Sequence, residues 1–146
     1  MSRVAIAAAA LALAVAACGS SSPSSGQLRQ QAARICQRAL AQSDGIAAPA
    51  LPSGTAAFLR RGADALEPEL AKLRALKPPS DEAVSYAAAL DAESRQLTIL
   101  DGTIRELDGG ADPLSVIKTL QRRIAPTESA EDAAWRTLAI PGCVSR

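Results

Sequence analysis

A set of apolar residues within positions 80–107 recurs at steps of three and four positions, interrupted only by Glu93. They are Ala83, Tyr86, Leu90, Leu97, Leu100, Ile104 and Leu107. This period places one apolar stripe along an α-helix, and the stripe must be covered by other helices. Ser80 is a suitable N-cap, Asp81 and Glu82 follow it in the first turn, and Asp108-Gly109-Gly110 ends the segment. The pattern predicts a long amphipathic helix.

Three further segments have the same period. Positions 27–42 hold apolar residues at Leu28, Ala32, Ile35, Ala39 and Leu40. Positions 55–77 hold them at Leu59, Ala63, Leu66, Leu70 and Leu73. The last segment opens at Asp112-Pro113, with an N-cap and an N1 residue in their preferred places, and we expect Leu114, Ile117, Leu120 and Ile124 to face inward. No segment alternates as a strand would.

Two prolines interrupt this pattern. Pro68 lies inside the second segment, and because the apolar period continues across it we predict a kink rather than a break. Pro126 breaks or bends the fourth segment, and positions 129–139 resume it with Trp135 and Leu138. The sequence therefore predicts an all-α fold, an antiparallel four-helix bundle over 27–146 with kinked second and fourth helices.

The N-terminus has the order of a secretory signal peptide. Arg3 precedes an apolar run over positions 4–13, and small residues lead to Cys18. The run is too short for a membrane span, which needs roughly 20 apolar residues. Val15-Ala16-Ala17-Cys18 resembles the lipobox of bacterial lipoproteins. An ordinary secretory signal with an incidental cysteine is the alternative.

The lipobox resemblance implies a lipid anchor at Cys18. In that family the cysteine thiol receives a diacylglyceryl group, and the chain is cut just before it, which here removes positions 1–17. Positions 18–26 would then be the lipidated cysteine and a flexible linker rich in serine and glycine. The expected location is the outer face of the cell membrane, with membrane lipid as the partner of the anchor.

The two other cysteines are predicted to form a disulfide. With Cys18 acylated, Cys36 and Cys143 remain, and export places them where a disulfide persists. In an up-down bundle the end of the last helix lies beside the start of the first, although the tail must climb a few residues to reach Cys36. Two buried free thiols are the alternative.

Three stretches extend the resemblance over nearly the whole mature chain. "ARICQRAL", "LRALKPP" and "AIPGC" are similar to a broad group of small actinobacterial lipoproteins without a settled activity. Membership would imply the fold, the anchor and the disulfide, and it would leave the biochemical role open.

Composition excludes several kinds of site. The chain has no histidine, so Ser-His and Cys-His nucleophile pairs are impossible, and two cysteines are too few for a zinc site. No glycine-rich phosphate loop occurs, and we expect no cofactor and no metal. Without Arg3 the chain has 15 basic and 15 acidic residues, which argues against nucleic acid as a partner.

Glu93 is the most informative acidic residue because it falls on the apolar stripe of the third helix. A carboxyl group in that place needs a partner or a wet pocket. One interpretation is a splayed helix or a pair with a neighbouring arginine, and the other is a polar residue that lines a ligand cavity. Glu67 and Glu69 flank Pro68 and are expected to face solvent. Other acidic pairs are expected at helix starts as capping residues: Asp81 with Glu82, and Glu131 with Asp132.

Arg29, Arg34 and Arg38 give the first helix a basic character, with no acidic residue between Cys18 and Gln42. Beside a lipid anchor they could contact anionic headgroups, each charge contributing about 1 kcal/mol. A solvated basic face is the alternative.

These observations favour a membrane-anchored, non-catalytic interaction module that binds another envelope protein. The alternative is a carrier or sensor of a small apolar or lipid-like ligand, and an enzyme based on carboxyl groups is the least favoured. A large apolar cavity would favour the carrier, a flat exposed apolar patch the interaction module, and a concave cluster of carboxyl groups with raised pKa values the enzyme.

Overall fold

The computed structural model describes residues 23–144. The predicted signal peptide, the predicted lipidation site Cys18 and most of the predicted linker lie outside the described residues. The described part is helical and has no strand: α1 is Ser25–Asp44, α2 is Thr55–Arg74, α3 is Ala83–Asp108 and α4 is Pro113–Thr137. Short 3-10 turns lie at Pro52–Gly54 and at Pro141–Cys143, and we call the latter the C-terminal turn. The predicted all-α class and the four packed helices are confirmed.

The helices begin where side chains or turns can satisfy their first backbone groups. Ser24 Oγ accepts from Gln27 N–H, and Ser24 N–H donates to Gln27 Oε1, which starts α1 two positions earlier than expected. Asp112 caps α4 as expected by accepting from the N–H of Ser115. The prediction that Ser80 caps α3 is wrong. Residues 80–82 form a turn closed by the Glu82 N–H and the Pro79 carbonyl, so α3 starts only at Ala83.

Pro68 and Pro126 both lie inside continuous helices and on exposed positions. α4 continues through Pro126 to Thr137, so the break that the sequence allowed does not occur. A proline inside a helix removes one backbone donor, and its ring crowds the carbonyl four residues earlier; at an exposed position that carbonyl can tilt outward and be hydrated.

The C-terminal turn packs against the bundle on the side where α1 and α4 lie. α3 packs against both α2 and α4, while α1 packs against α2 and against the C-terminal turn, which also contacts α4. This turn therefore lies between α1 and α4. One core cluster surrounds Trp135 and includes Leu28, Leu73 and Tyr86. Others surround Leu59, Leu100, Ile104 and Leu120, and Ala63, Leu70 and Leu97.

Two apolar positions of the predicted stripes are exposed. Leu114 is 72% exposed, and Val116 is buried in its place. The first turn of α4 therefore presents a different face from the one expected. Leu40 of α1 is 38% exposed because it lies beside a cavity.

A disulfide joins Cys36 to Cys143, with Cα atoms 5.2 Å apart, and both residues are buried. The predicted pairing is confirmed. The close approach of the C-terminal turn to α1 depends on small residues, since a Cβ atom added at Gly142 would lie 3.2 Å from the Cβ of Ala33. The C-terminal turn runs beside α1 from Ala33 to Cys36, as the pairing requires.

Candidate functional site

A cavity of about 580 Å³ lies at the side of the bundle where α1 and α4 face each other. We call it the α1–α4 cleft. Its apolar wall is formed by Leu40, Leu66, Leu100 and Ile124. Its buried polar side chains are Glu69, Glu93, Gln96 and Glu131, and more exposed polar ones line it as well: Ser43, Glu128, Ser129 and Asp132. All four helices contribute, and Cys143 of the disulfide also lines the cleft. The size falls in the range of roughly 300–1,000 Å³ that small-molecule sites occupy.

Three buried carboxyl groups from three helices line this cleft. Glu69 of α2 is 2% exposed, Glu93 of α3 is 1% exposed and Glu131 of α4 is 7% exposed. The sequence singled out only Glu93 as a possible cavity residue, and the structure places it there. Burying three carboxyl groups together is unfavourable for folding unless their charges are neutralised or solvated. The cleft is therefore a polar part of the bundle interior.

Glu69 corrects the expectation that both glutamates beside Pro68 face solvent. Glu67 is exposed, but Glu69 is not. Because α2 continues through Pro68, Glu69 follows Leu66 by three positions and precedes Leu73 by four. That spacing puts it on the buried face of the helix.

Glu131 corrects the expectation that it caps a restarted helix. α4 does not restart, and Glu131 lies in its interior, one turn before Trp135. Gln96 Nε2 donates to Glu131 Oε2 at 2.6 Å, and Trp135 Nε1 donates to Glu131 Oε1 at 2.9 Å. Burial raises the pKa of Glu131, and these two hydrogen bonds partly oppose the rise. The donors fix the orientation of this carboxyl group.

Burial raises the pKa of Glu93 to about 8, the negative charge of Glu131 adds to the rise, and Arg74 opposes it. At neutral pH Glu93 is therefore mostly protonated. Tyr86, on the same helix, donates its hydroxyl to the Leu73 carbonyl at 2.7 Å, and burial together with Glu93 raises the pKa of its phenol. A carboxyl group that changes its charge near neutral pH is typical of functional sites.

The three arginines of α1 that were predicted to contact lipid headgroups have different surroundings. Arg29 donates through Nε to the Leu138 carbonyl and pairs with Glu82, both at 2.8 Å. These bonds tie α1 to the end of α4 and to the start of α3. Arg34 and Arg38 are exposed. Glu82 thus acts as the partner of Arg29, and neither it nor the arginines line the cleft.

Glu69, Gln96 and Glu131 were missed by the sequence reasoning. Each stands at helical spacing from buried apolar residues, and Glu131 precedes the sole tryptophan of the chain by four positions. The spacing of acidic residues relative to these stripes is the signal that would have found them, provided that α2 and α4 are taken as continuous across their prolines.

No family model, curated protein or solved structure matches this chain. Between residues 23 and 144, none of the helices combines the length and apolarity needed to cross a bilayer. The same part of the chain contains no group of three or more cysteine, aspartate or glutamate side chains arranged to hold a metal ion.

Proposed function

We propose that this chain is an exported lipoprotein, anchored at Cys18 to the outer face of the cell membrane, whose helical domain binds a small amphipathic ligand in the α1–α4 cleft. The cleft is the observation that supports the second half of this proposal. Its volume is that of a small-molecule site, and it combines four apolar side chains with an unusually large share of polar ones, five of them acidic. This favours the carrier or sensor over the interaction module.

The shape of the packing also supports a binding role. The C-terminal turn keeps α1 apart from α4 at one end, and the cleft lies beyond it, next to Leu40 and Ser43 of α1. A domain built only for stability would gain from filling this space with apolar side chains, at about 25 cal/mol for each Å² removed from water. Here the space is left unfilled, and three carboxyl groups line it.

The anchor proposal depends on the signal-peptide pattern and on the lipobox resemblance of positions 15–18. Because α1 starts at Ser25, the chain from Cys18 to the domain spans at most about 25 Å. The exposed Arg34 and Arg38 remain candidates for contact with anionic headgroups. A sensor or carrier at that distance would meet ligands that leave or enter the bilayer.

We also propose that neighbouring helices run antiparallel, with bends at Pro68 and Pro126. Only residues 109–112 connect α3 to α4, and residues 75–82 connect α2 to α3. Short connections between packed helices favour antiparallel neighbours. The cleft also has the feature named above as favouring an enzyme, since it is a concave cluster of carboxyl groups in which the pKa values of Glu93 and Glu131 are raised. We rank catalysis below ligand binding because the chain has no histidine to activate a nucleophile.

The test is native mass spectrometry of the lipid-anchored protein, released from membranes in a mild detergent. We expect a retained small molecule in the unmodified protein and none in Ser129→Phe, because Ser129 is an exposed residue at the mouth of the cleft. Ala130→Phe is the matched control, since Ala130 is exposed on the same helix and does not line the cleft. Equal retention in all three proteins would refute binding in the cleft.

The interaction module remains the second candidate because of one surface. Leu51 and Leu114 are 68% and 72% exposed, and they line a shallow depression with Pro49 and Ile117. Exposed leucines side by side favour a protein contact. In-membrane cross-linking should then give a defined adduct that Leu114→Ser abolishes and Ser129→Phe does not.

A further inference from the structure

We propose that the α1–α4 cleft selects a small organic cation, a primary aliphatic ammonium compound. Its charged group would lie among Glu69, Glu93 and Glu131, and its alkyl part against Leu66, Leu100 and Ile124. The inference rests on the proposed function, that the cleft binds a small ligand, and it adds the chemical class of that ligand.

The ionisable side chains that line the cleft are all acidic, and two of them lie near an arginine that does not line it: Asp132 pairs with Arg136 at 2.9 Å, and Arg74 acts on Glu93. Among the described residues that line it, five are acidic and none is lysine or arginine. The acidic residues are Glu69, Glu93, Glu128, Glu131 and Asp132. In a partly buried cavity, the carboxyl groups that are ionised attract a cation more strongly than they would in water. Ionised carboxyl groups would repel phosphates and fatty-acid carboxylates. Of the lipid-like ligands considered in the sequence analysis, those with a positively charged group therefore fit the cleft best.

The cleft suits an organic cation better than a metal ion. The described residues hold no metal-binding group, and four apolar side chains line one wall of the cleft. A bare ion would leave that wall without a partner, whereas an alkyl chain would cover it. None of the described lining residues is aromatic, and quaternary ammonium groups are usually held by aromatic cages. A primary ammonium group can instead donate hydrogen bonds to carboxyl oxygens.

The buried carboxyl groups supply the counter-charge by releasing a proton. Glu93 faces Glu131 from α4, shares the cleft with Glu69 from α2, and is also influenced by Arg74 of α2 and by Tyr86 of α3. The described lining residues of α1 and the C-terminal turn, which are Leu40, Ser43 and Cys143, bring no charge. Because burial raises the pKa of Glu93 to about 8, a cation that enters near neutral pH displaces the Glu93 proton. Binding should therefore tighten as the pH rises.

The test compares three probes of equal chain length on the full lipid-anchored protein: n-hexylammonium, 1-hexanol and hexanoate. The single tryptophan of the chain is Trp135, which donates to Glu131, so its fluorescence reports on the cleft. We expect n-hexylammonium to bind at least tenfold more tightly than 1-hexanol, with hexanoate weakest. From pH 6 to pH 8 the affinity for n-hexylammonium should rise about fiftyfold, since a group with the pKa of Glu93 is about 1% ionised at pH 6 and half ionised at pH 8.

Variants separate the cation site from a general apolar site. Glu93→Gln and Glu69→Gln should each weaken n-hexylammonium binding at least tenfold and leave 1-hexanol binding unchanged. Glu93→Gln should also remove most of the pH dependence of n-hexylammonium binding. Glu67→Gln is the matched control because Glu67 is exposed on the same helix as Glu69. Isothermal titration calorimetry gives a second readout that does not depend on Trp135.

The outcomes distinguish this inference from the proposed function. Preference for 1-hexanol or hexanoate over n-hexylammonium, blocked by Ser129→Phe, would overturn the cation class and leave the cleft as a ligand site. Binding of n-hexylammonium that Glu93→Gln and Glu69→Gln both leave intact would also overturn it. Failure of all three probes to bind, together with the absence of a retained molecule in native mass spectrometry, would overturn both proposals.

Discussion

Replacing Glu93 with glutamine should make the stability of the bundle much less dependent on pH. Burial raises the pKa of Glu93 from its ordinary value of 4.5 to about 8. The native protein therefore holds this proton over a pH range in which the unfolded chain has already released it. The free energy of unfolding must then fall as the pH rises through that range, because ionisation is less favourable in the native state.

The size of the effect follows from the pKa values. At 1.36 kcal/mol for each pKa unit, complete ionisation of Glu93 lowers the free energy of unfolding by about 5 kcal/mol. Glu93 is 1% exposed, so solvent screens little of this cost. Between pH 5 and pH 9 the unmodified protein should lose about 4 kcal/mol more than Glu93→Gln. For a domain of this size that corresponds to a difference in Tm on the order of 10 °C.

Urea denaturation at intervals from pH 5 to pH 9 measures this pH dependence of the free energy of unfolding. The transition is monitored by Trp135 fluorescence and by circular dichroism. Glu67→Gln serves as the control and should follow the unmodified protein at every pH. A residual slope should remain in Glu93→Gln, because burial also raises the pKa of Glu131. Curves for Glu93→Gln and the unmodified protein that run parallel from pH 5 to pH 9 would refute the assignment of a buried, titrating carboxyl group at this position.

Three further predictions concern the helices, the disulfide and the anchor. Pro68→Ala should keep the helix content and leave Tm unchanged or higher, since proline in a helix interior costs about 3 kcal/mol relative to alanine; a lower Tm in thermal circular dichroism would show that packing needs the bend. Mature protein purified without reductant should show no reactive thiol before reduction and two after it. Reduction should lower the free energy of unfolding by up to about 4.7 kcal/mol. Two reactive thiols before reduction would contradict the Cys36–Cys143 bond in solution. Cys18→Ser should move the protein from the detergent phase to the aqueous phase in phase partitioning, and aqueous partitioning of both forms with the same mature N-terminus would rule out the anchor.

The helices could be predicted from sequence because their apolar stripes are local and long. The stripe of α3 from Tyr86 to Ile104 gave the right element and its C-terminal end, and Asp112-Pro113 gave the start of α4. The start of α3 was wrong because Ser80 is a good N-cap in isolation, whereas the chain after Pro79 makes one more turn before the helix begins. Capping preference is weak compared with the path that a connection must take between two packed helices.

The cleft was beyond prediction because it depends on how whole elements sit beside one another. Glu93 stood out as a carboxyl group on an apolar stripe, but Glu69 and Glu131 were each assigned from a proline nearby. Their burial follows from the continuity of α2 and α4, and proline alone does not settle whether a helix continues. The separation of α1 from α4 arises from the C-terminal turn, which contacts both helices. No local pattern in residues 141–143 indicates that role.

The disulfide also determines how the domain would respond to a mechanical load. Cys36 and Cys143 are 107 positions apart, so α2, α3 and α4 all lie inside the covalent loop that the bond closes. A pull applied between the two ends of the chain passes along α1 only as far as Cys36, crosses the sulfur–sulfur bond and leaves through Cys143. Tension on the tether would therefore bypass residues 37–142, including every glutamate of the cleft, and could stretch only the first three turns of α1. With the bond reduced, the same pull would load residues 37–142 as well.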